Sequence, residues 1–413
     1  MPLTPRAPGL DQTPAFLAEG YTFISRRCDR FRSDLFAARI MLTPVVCMRG
    51  AEAARIFYDG DRFTRQGAMP RLTLRLLQDK GSVQTLDGEA HRHRKRMFMS
   101  LMTPDSVARI GPMLERHWRQ ALARWQVMPE VMLLHEVNEV LTRTACDWAG
   151  VPLAEAEAPA MARELSAMVE HAGGAGPATW WALRLRRRTE RRLRDMVEAI
   201  RDGRQAVPGG SAAATIAHHT GPDGKPLGSE GAAVELINIL RPIVAVGRFI
   251  TFAALALHEH PDWRPRLAGG EDPEPFAQEV RRHYPFFPVI GGRVRQPFDW
   301  AGHYFAAKDW VLLDLYGTNH DPRLWDEPDR FRPERFQNWP GDPYTMIPQG
   351  AGDFVAGHRC PGEWITVALV KQALRLLAGG MRYAVPPQDL SINLSRMPAA
   401  PRSGFVINRI AAA

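Results

Sequence analysis

The apolar run from Ala232 to Leu257 constrains this 413-residue chain more than any other feature. It is long enough to cross a bilayer, which takes about 20 residues. However, Glu235, Asn238, Arg241 and Arg248 interrupt it, and such side chains are expensive in lipid. A helix apolar on nearly every side that does not span a membrane belongs at the centre of a large fold, inside a shell of other elements. No membrane span is expected. Each polar interruption then needs a partner, because an unpaired buried charge costs several kcal/mol.

The rest of the chain agrees with such a core. A hydrophobic fraction of 45% and a charged fraction of 24% are those of an ordinary soluble globular protein. The four cysteines, Cys28, Cys47, Cys146 and Cys360, form no C-x-x-C pair, which argues against a zinc site or a disulfide framework. The amino terminus carries no secretory pattern, so a cytoplasmic location is expected. A net charge of +8 raises the question of nucleic acid, most of all at Arg184 to Arg194. There Trp181, Leu185, Leu193, Met196, Val197 and Ile200 fall near helical spacing, leaving the arginines on a solvated face beside Glu190, Asp195 and Glu198. No nucleic-acid partner is expected.

Helical periodicity dominates from Pro104 to Arg204, and a Gly, Pro and Ser cluster from Val207 to Ser229 precedes the apolar helix, which is expected to reach His258. Strands are expected at Val289 to Val294 and Trp310 to Leu315, then a Pro-rich coil from His320 to Gly357. A helix follows Cys360, and short strands finish the chain. From length alone, one large domain or two smaller ones fit.

Cys360 stands in Gly357-His358-Arg359-Cys360-Pro361-Gly362-Glu363, directly before the apolar helix start Trp364 to Val370. A sulfur near a helix amino end, beside Arg359 and His358, is expected to favour the thiolate, which can ligate iron. A lone cysteine is more often an inert buried side chain. Glu279 and Arg282, at i and i+3, can pair on one helical face. Tyr284-Pro285-Phe286-Phe287-Pro288 follows, and later Phe331-Arg332-Pro333-Glu334-Arg335-Phe336.

This order of Glu-x-x-Arg, Pro-Glu-Arg-Phe and a cysteine loop resembles the cytochrome P450 family. Upstream, Gln84 to Lys95, Leu240-Arg241-Pro242, Leu313 to Gly317 and Ile347 to Gly350 make the chain similar to the bacterial fatty-acid hydroxylases of that family that use hydrogen peroxide. Asp353 and Ala356 replace the usual Phe and Gly before the cysteine, as in that group. Arg241-Pro242 stands where ordinary members carry an acid and an alcohol. The resemblance implies one domain over residues 1–413 with a mainly α, minor β fold, a triangular helical haem domain with small β-sheets. It implies haem b with Cys360 as axial ligand, and Glu279, Arg282 and Arg335 as a structural lock. His91 and Arg65, and with less support Tyr284 and Arg359, are expected at the haem propionates. Leu77, Val169, Phe286, Phe287, Val289 and Ile290 are expected to line the channel.

From the sequence alone, Arg241 could form a permanent salt bridge to another helix or snorkel outward. Pro242 favours a functional reading, since it leaves the Asn238 carbonyl free and opens the helix locally. Arg241 is therefore expected to hold the carboxylate of a long-chain fatty acid. The same carboxylate would serve as general acid-base for hydrogen peroxide, so that hydroxylation falls on the α or β carbon without an obligatory redox partner. Gln84, where decarboxylating relatives tend to carry histidine, is expected near the substrate head and favours hydroxylation. The alternatives are a decarboxylase giving terminal alkenes, a monooxygenase fed by a redox partner, and a haem sensor or carrier. Arg248 has no assigned role.

Overall fold

The computed structural model describes residues 4–79 and 81–413. The Pro104 to Arg204 region forms helices Pro104–Trp125, Leu133–Ala149, Ala158–Glu170 and Pro177–Arg201; the last three pack against the apolar run, and Pro104–Trp125 packs on Leu133–Ala149. That run is two consecutive helices, Ser229–Ala245 and Gly247–Glu259, and 94% of its apolar window is buried inside the protein. It is a core helix, as its interrupting charges require. The break falls at Val246, four residues beyond Pro242; the Val246 N–H bonds to Ile243 O at 3.1 Å in a tightened turn. Gly247 follows because a Cβ there would collide with Asn138 of the crossing helix.

A five-stranded sheet stands beside the helices, in the spatial order Leu35–Ile40, Thr43–Met48, Trp310–Asp314, Val289–Val294, Phe63–Thr64. Its pairings are antiparallel except that of Thr43–Met48 with Trp310–Asp314. The strand expected to reach Leu315 ends one residue earlier. Asp314 leaves the ladder to cap the short helix Leu315–Asn319, accepting the Gly317 N–H at 2.7 Å.

The arginine-rich helix departs from expectation at two positions: Trp181 is 49% exposed, and Arg186 turns inward. Arg186 is buried, with its Nε on Glu190 at 2.6 Å, one Nη on Asp79 at 3.2 Å and the other on the carbonyl of Leu76 at 3.1 Å. In a run this dense in arginine, a periodic pattern does not reveal which one turns inward.

Candidate active site

Glu279 and Arg282 lie on helix Glu274–His283 and are wholly buried. The Glu279 carboxylate accepts Arg282 Nε and Nη2 at 2.7 and 2.8 Å, Arg335 Nε at 3.2 Å and the Arg332 backbone N–H at 2.8 Å. Arg282 also donates to Asn319 O at 2.8 Å. A solvated i,i+3 pair contributes a few tenths of a kcal/mol, whereas this buried triad fixes the coil around Pro333–Phe336 against the helix that precedes the cysteine loop.

The loop is held from several sides. Lys95 Nζ, 2% exposed, donates to Gly357 O at 3.0 Å and to Arg359 O. The Cys360 N–H bonds to Gln349 O at 3.1 Å, and Gln349 Nε2 lies 3.9 Å from the Cys360 sulfur while donating to Thr366 Oγ1 at 3.0 Å. Cys360 is half-buried, whereas Cys28, Cys47 and Cys146 are buried. The expected thiolate is corrected for the free side chain: burial pushes the Cys360 thiol up, outweighing the Gly362 N–H and Lys95. Helix Glu363–Arg375 begins three residues beyond Cys360, too far for its first turn to offset desolvation. Metal ligation would deprotonate the thiol outright.

Beside this loop, four basic side chains come together. The His91 and His358 rings stack with centroids 3.8 Å apart. Arg65 lies over the Phe57 ring at 4.2 Å and donates to Gly291 O at 3.0 Å. Burial, then Lys95 and Arg65, pushes His91 down to about 4, and burial with Arg65 and His91 pushes His358 down to about 2. Lys95 is pushed down to about 8 by burial. Among the described residues none of these four forms an ion pair within 4 Å. Buried cations and polar rings without a carboxylate suit a group bearing two carboxylates next to a lone thiol, and so they fit a haem. His358 and Lys95 were not expected here. The signal was the need of any buried Cys loop for donors to its carbonyls.

Two further expected propionate partners already have carboxylate partners. Arg359 is taken by Glu363, at 2.6 and 3.1 Å, and Glu363 also meets Arg281 at 2.5 Å. Tyr284 donates to Glu259 at 3.2 Å and stacks on Phe252 at 4.7 Å, inside the helical core. An aromatic next to a Pro-Phe-Phe-Pro stretch carries no sequence mark of the side to which it turns.

Arg241 is 5% exposed, and its one side-chain hydrogen bond among the described residues runs to Leu76 O at 3.2 Å. No described carboxylate pairs with it. Burial first, then the nearby Arg186 cation, pushes it down to about 9. Neither a permanent salt bridge nor a snorkelling side chain is present. The chemistry of the position calls for an anion.

Gln84 Oε1 accepts Asn238 Nδ2 at 3.2 Å. The same amide donates to Glu235 at 3.0 Å, and Glu235 takes the Val83 N–H at 2.9 Å and Arg94 at 2.6 Å. Gln84 is thereby tied to the helix that carries Arg241. Arg94 is the partner that the buried Glu235 requires.

Of the expected channel residues, Val169 is buried, Leu77 and Phe286 pack against the helical core, and Phe286 stacks on Phe249 at 4.3 Å. Phe287 is 40% exposed. Val289 packs with the cluster around Phe23 and Phe36, and Ile290 with the cluster around Phe57 and Phe63. Adjacent strand residues face opposite ways, so the two point to different clusters.

Comparison with known proteins gives a consistent pattern. The family described as Cytochrome P450 matches residues 276–377. Cytochrome P450SP alpha in complex with (R)-ibuprophen superposes with a TM-score of 0.95 at 47% identity, over 98% of this chain and 99% of that one. Cytochrome P450EX alpha with myristic acid gives 0.96 at 41% identity over 100% of both chains. The Sarpagan bridge enzyme of Gelsemium sempervirens is 36% identical over 90 residues, 21% of this chain, and the chain spans 17% of that relative's length.

Proposed function

The chain belongs to the cytochrome P450 family, and from that premise we propose that it is a haem-thiolate fatty-acid peroxygenase, using hydrogen peroxide to hydroxylate long-chain fatty acids at the α and, in part, the β carbon. The whole chain, 1–413, acts as one haem-binding unit in the cytoplasm, with no obligatory redox partner, no nucleic acid and no membrane span. The observation that carries this reading is Arg241, a buried guanidinium with one backbone hydrogen bond and no carboxylate partner among the described residues.

Cys360 would supply the sulfur that holds the haem iron, and Arg65 and His91, joined by His358 and Lys95, would face the propionates. Bound haem supplies the oxidising power by which peroxide oxygen replaces hydrogen on carbon. Arg241 receives the fatty-acid carboxylate in a two-pronged, charge-assisted pair, which fixes the head group and leaves the first carbons nearest the reacting centre. Pro242 fills the next helical position with a side chain that has no proton to give, and no acid or alcohol stands at Arg241-Pro242. The substrate carboxylate therefore handles the proton, taking it from one peroxide oxygen and returning it to the other. Gln84, held by Asn238 through its amide oxygen, has no partner on its amide N–H groups among the described residues and offers them to orient that head group. The balance is one C–H and one O–O bond broken, one C–O and one O–H bond formed, with hydroxy acid and water as products. The two solved relatives above hold carboxylic acids, myristic acid and (R)-ibuprophen, in agreement with an acid-binding site.

The test is to mix purified holoprotein, myristic acid and hydrogen peroxide without a reductase and to identify the products by mass spectrometry. 2-Hydroxymyristic acid is expected, with 3-hydroxymyristic acid as the minor product. A terminal alkene as main product would replace hydroxylation by decarboxylation. Turnover only with an added electron-transfer protein would return the chain to the ordinary monooxygenases, and no turnover under either condition would leave a haem sensor or carrier.

A further inference from the structure

Arg248 follows Arg241 by seven residues on the same apolar run. Seven residues are about 10 Å along a helix axis and return to within roughly 20° of the same face. The intervening Val246 keeps right-handed helical angles, φ −59° and ψ −20°, so that relationship is not lost at the break. Arg248 is 2% exposed and makes no side-chain hydrogen bond among the described residues, and its Nε is enclosed without a partner. The nearest carboxylate, Glu170, stands 3.9 Å from Nη2, beyond hydrogen-bonding reach, and is itself 31% exposed.

The same protein shows what a permanent buried pair looks like: Arg282 and Glu279 meet at 2.7 and 2.8 Å, both wholly enclosed. Arg248 and Glu170 have not formed such a pair. The charged and titratable groups around Arg248 are Glu170, Arg396 and Tyr21. Tyr21 is neutral and already donates to Phe286 O at 2.7 Å. One carboxylate against two guanidinium groups leaves an excess of one positive charge.

Both arginines of the central helix face one wall. Leu76 O accepts from Arg241, Thr73 on the same helix, Arg71–Leu77, donates to Ala172 O at 2.8 Å, and Ala172 lies two residues beyond Glu170. Building on the fatty-acid reading of Arg241, we propose that Arg248 is a second anion site, which takes the far carboxylate of a dicarboxylic fatty acid whose near carboxylate is held by Arg241. Glu170, half in water, turns outward when the second carboxylate arrives. The reaction is unchanged, with the diacid hydroxylated beside the carboxylate at Arg241.

The test titrates the holoprotein by calorimetry with saturated dicarboxylic acids from 8 to 16 carbons, lengthened one carbon at a time, and with the monocarboxylic acid of each length. The expected result is a maximum in the diacid-to-monoacid affinity ratio at one intermediate length, falling at least ten-fold in Arg248→Met. A ratio that shows no such maximum, or the same ratio in wild type and Arg248→Met, overturns the proposal. Should Arg248→Met lose its haem, Glu170→Gln decides instead: removing the competing carboxylate is expected to raise the ratio several-fold, and no change rejects the site. Peroxide turnover of the monoacids is followed in parallel. If it is absent while the diacid maximum persists, the peroxygenase reading fails and the second anion site stands.

Discussion

Arg241 and Arg186 donate to a single acceptor, the carbonyl oxygen of Leu76, at 3.2 and 3.1 Å. Two buried cations that converge on one neutral oxygen repel each other, and only Arg186 has carboxylates beside it, Glu190 and Asp79. Arg241 therefore stands in the substrate-free protein at a cost. Arg241→Met should raise the melting temperature of the fatty-acid-free holoprotein, since an apolar side chain of similar length in place of an unpaired buried charge is stabilising by about 1–4 kcal/mol. It should also lower kcat/KM for myristic acid at least about 100-fold, the scale of losing a buried charge-assisted pair. Calorimetric melting and peroxide-driven turnover measure the two effects, and a variant both active and stabilised would place the carboxylate elsewhere.

The triad built on Glu279 makes the opposite prediction. Glu279→Ala strands two arginines, Arg282 at 0% and Arg335 at 8% side-chain exposure. Breaking a buried pair on one side costs about 3–5 kcal/mol. The variant should fail to retain haem and should melt cooperatively at a much lower temperature or not at all, as read from the Soret absorbance per mole of protein.

These contrasts show which parts of the site the sequence carries. Glu279, Arg282 and Arg335 are legible because their order along the chain is distinctive, and the central helix because few soluble segments are so apolar. Cys360 is legible through its loop, although the effect of burial on its thiol depends on three-dimensional desolvation and not on neighbours in sequence. Arg94, Lys95 and Arg186 are not legible. Each sits in a run of basic residues where helical period alone gives several equivalent inward positions, and the choice is made by partners distant in sequence: Glu235, the carbonyls of Gly357 and Arg359, and Leu76 with Asp79. The turn of Tyr284 toward Glu259 is not legible for a related reason, since an aromatic ring packs equally well on either side of its backbone.

The chain from Gln84 through Asn238 to Glu235 predicts an effect on products. Gln84→His keeps an acceptor for the Asn238 amide but changes the donors offered to the substrate head group, and the share of terminal alkene among the products should rise. Asn238→Ala should release the Gln84 side chain, costing about 1–3 kcal/mol of stability for the unsatisfied groups left behind, and should shift the ratio of 2-hydroxy to 3-hydroxy acid. Product ratios that do not move in either variant would remove Gln84 from the site.

Asp314 gives a pH dependence whose sign is fixed by its surroundings. It is 1% exposed, one oxygen accepts the Gly317 N–H at 2.7 Å, and the other is enclosed without a hydrogen-bond partner among the described residues. Burial pushes its carboxyl from 3.8 up to about 7. Between those values the folded protein holds a proton that the unfolded chain has released, so Asp314 makes stability fall as pH rises from about 4 to about 7, with no further change above. His283 and His320, pushed down to about 3 by burial, act in the other direction, with stability rising with pH between about 3 and 6.5. Wild-type melting curves therefore mix the two. Asp314→Asn separates them, because asparagine keeps the acceptor for Gly317 and mimics the protonated acid, while both histidines remain. The melting temperature of the variant minus that of wild type should grow steadily from pH 4 to pH 7 and then level off. A difference that is flat across that interval, or shrinks, would mean that Asp314 is ionised in the folded protein at acid pH and that its enclosed oxygen has found a donor.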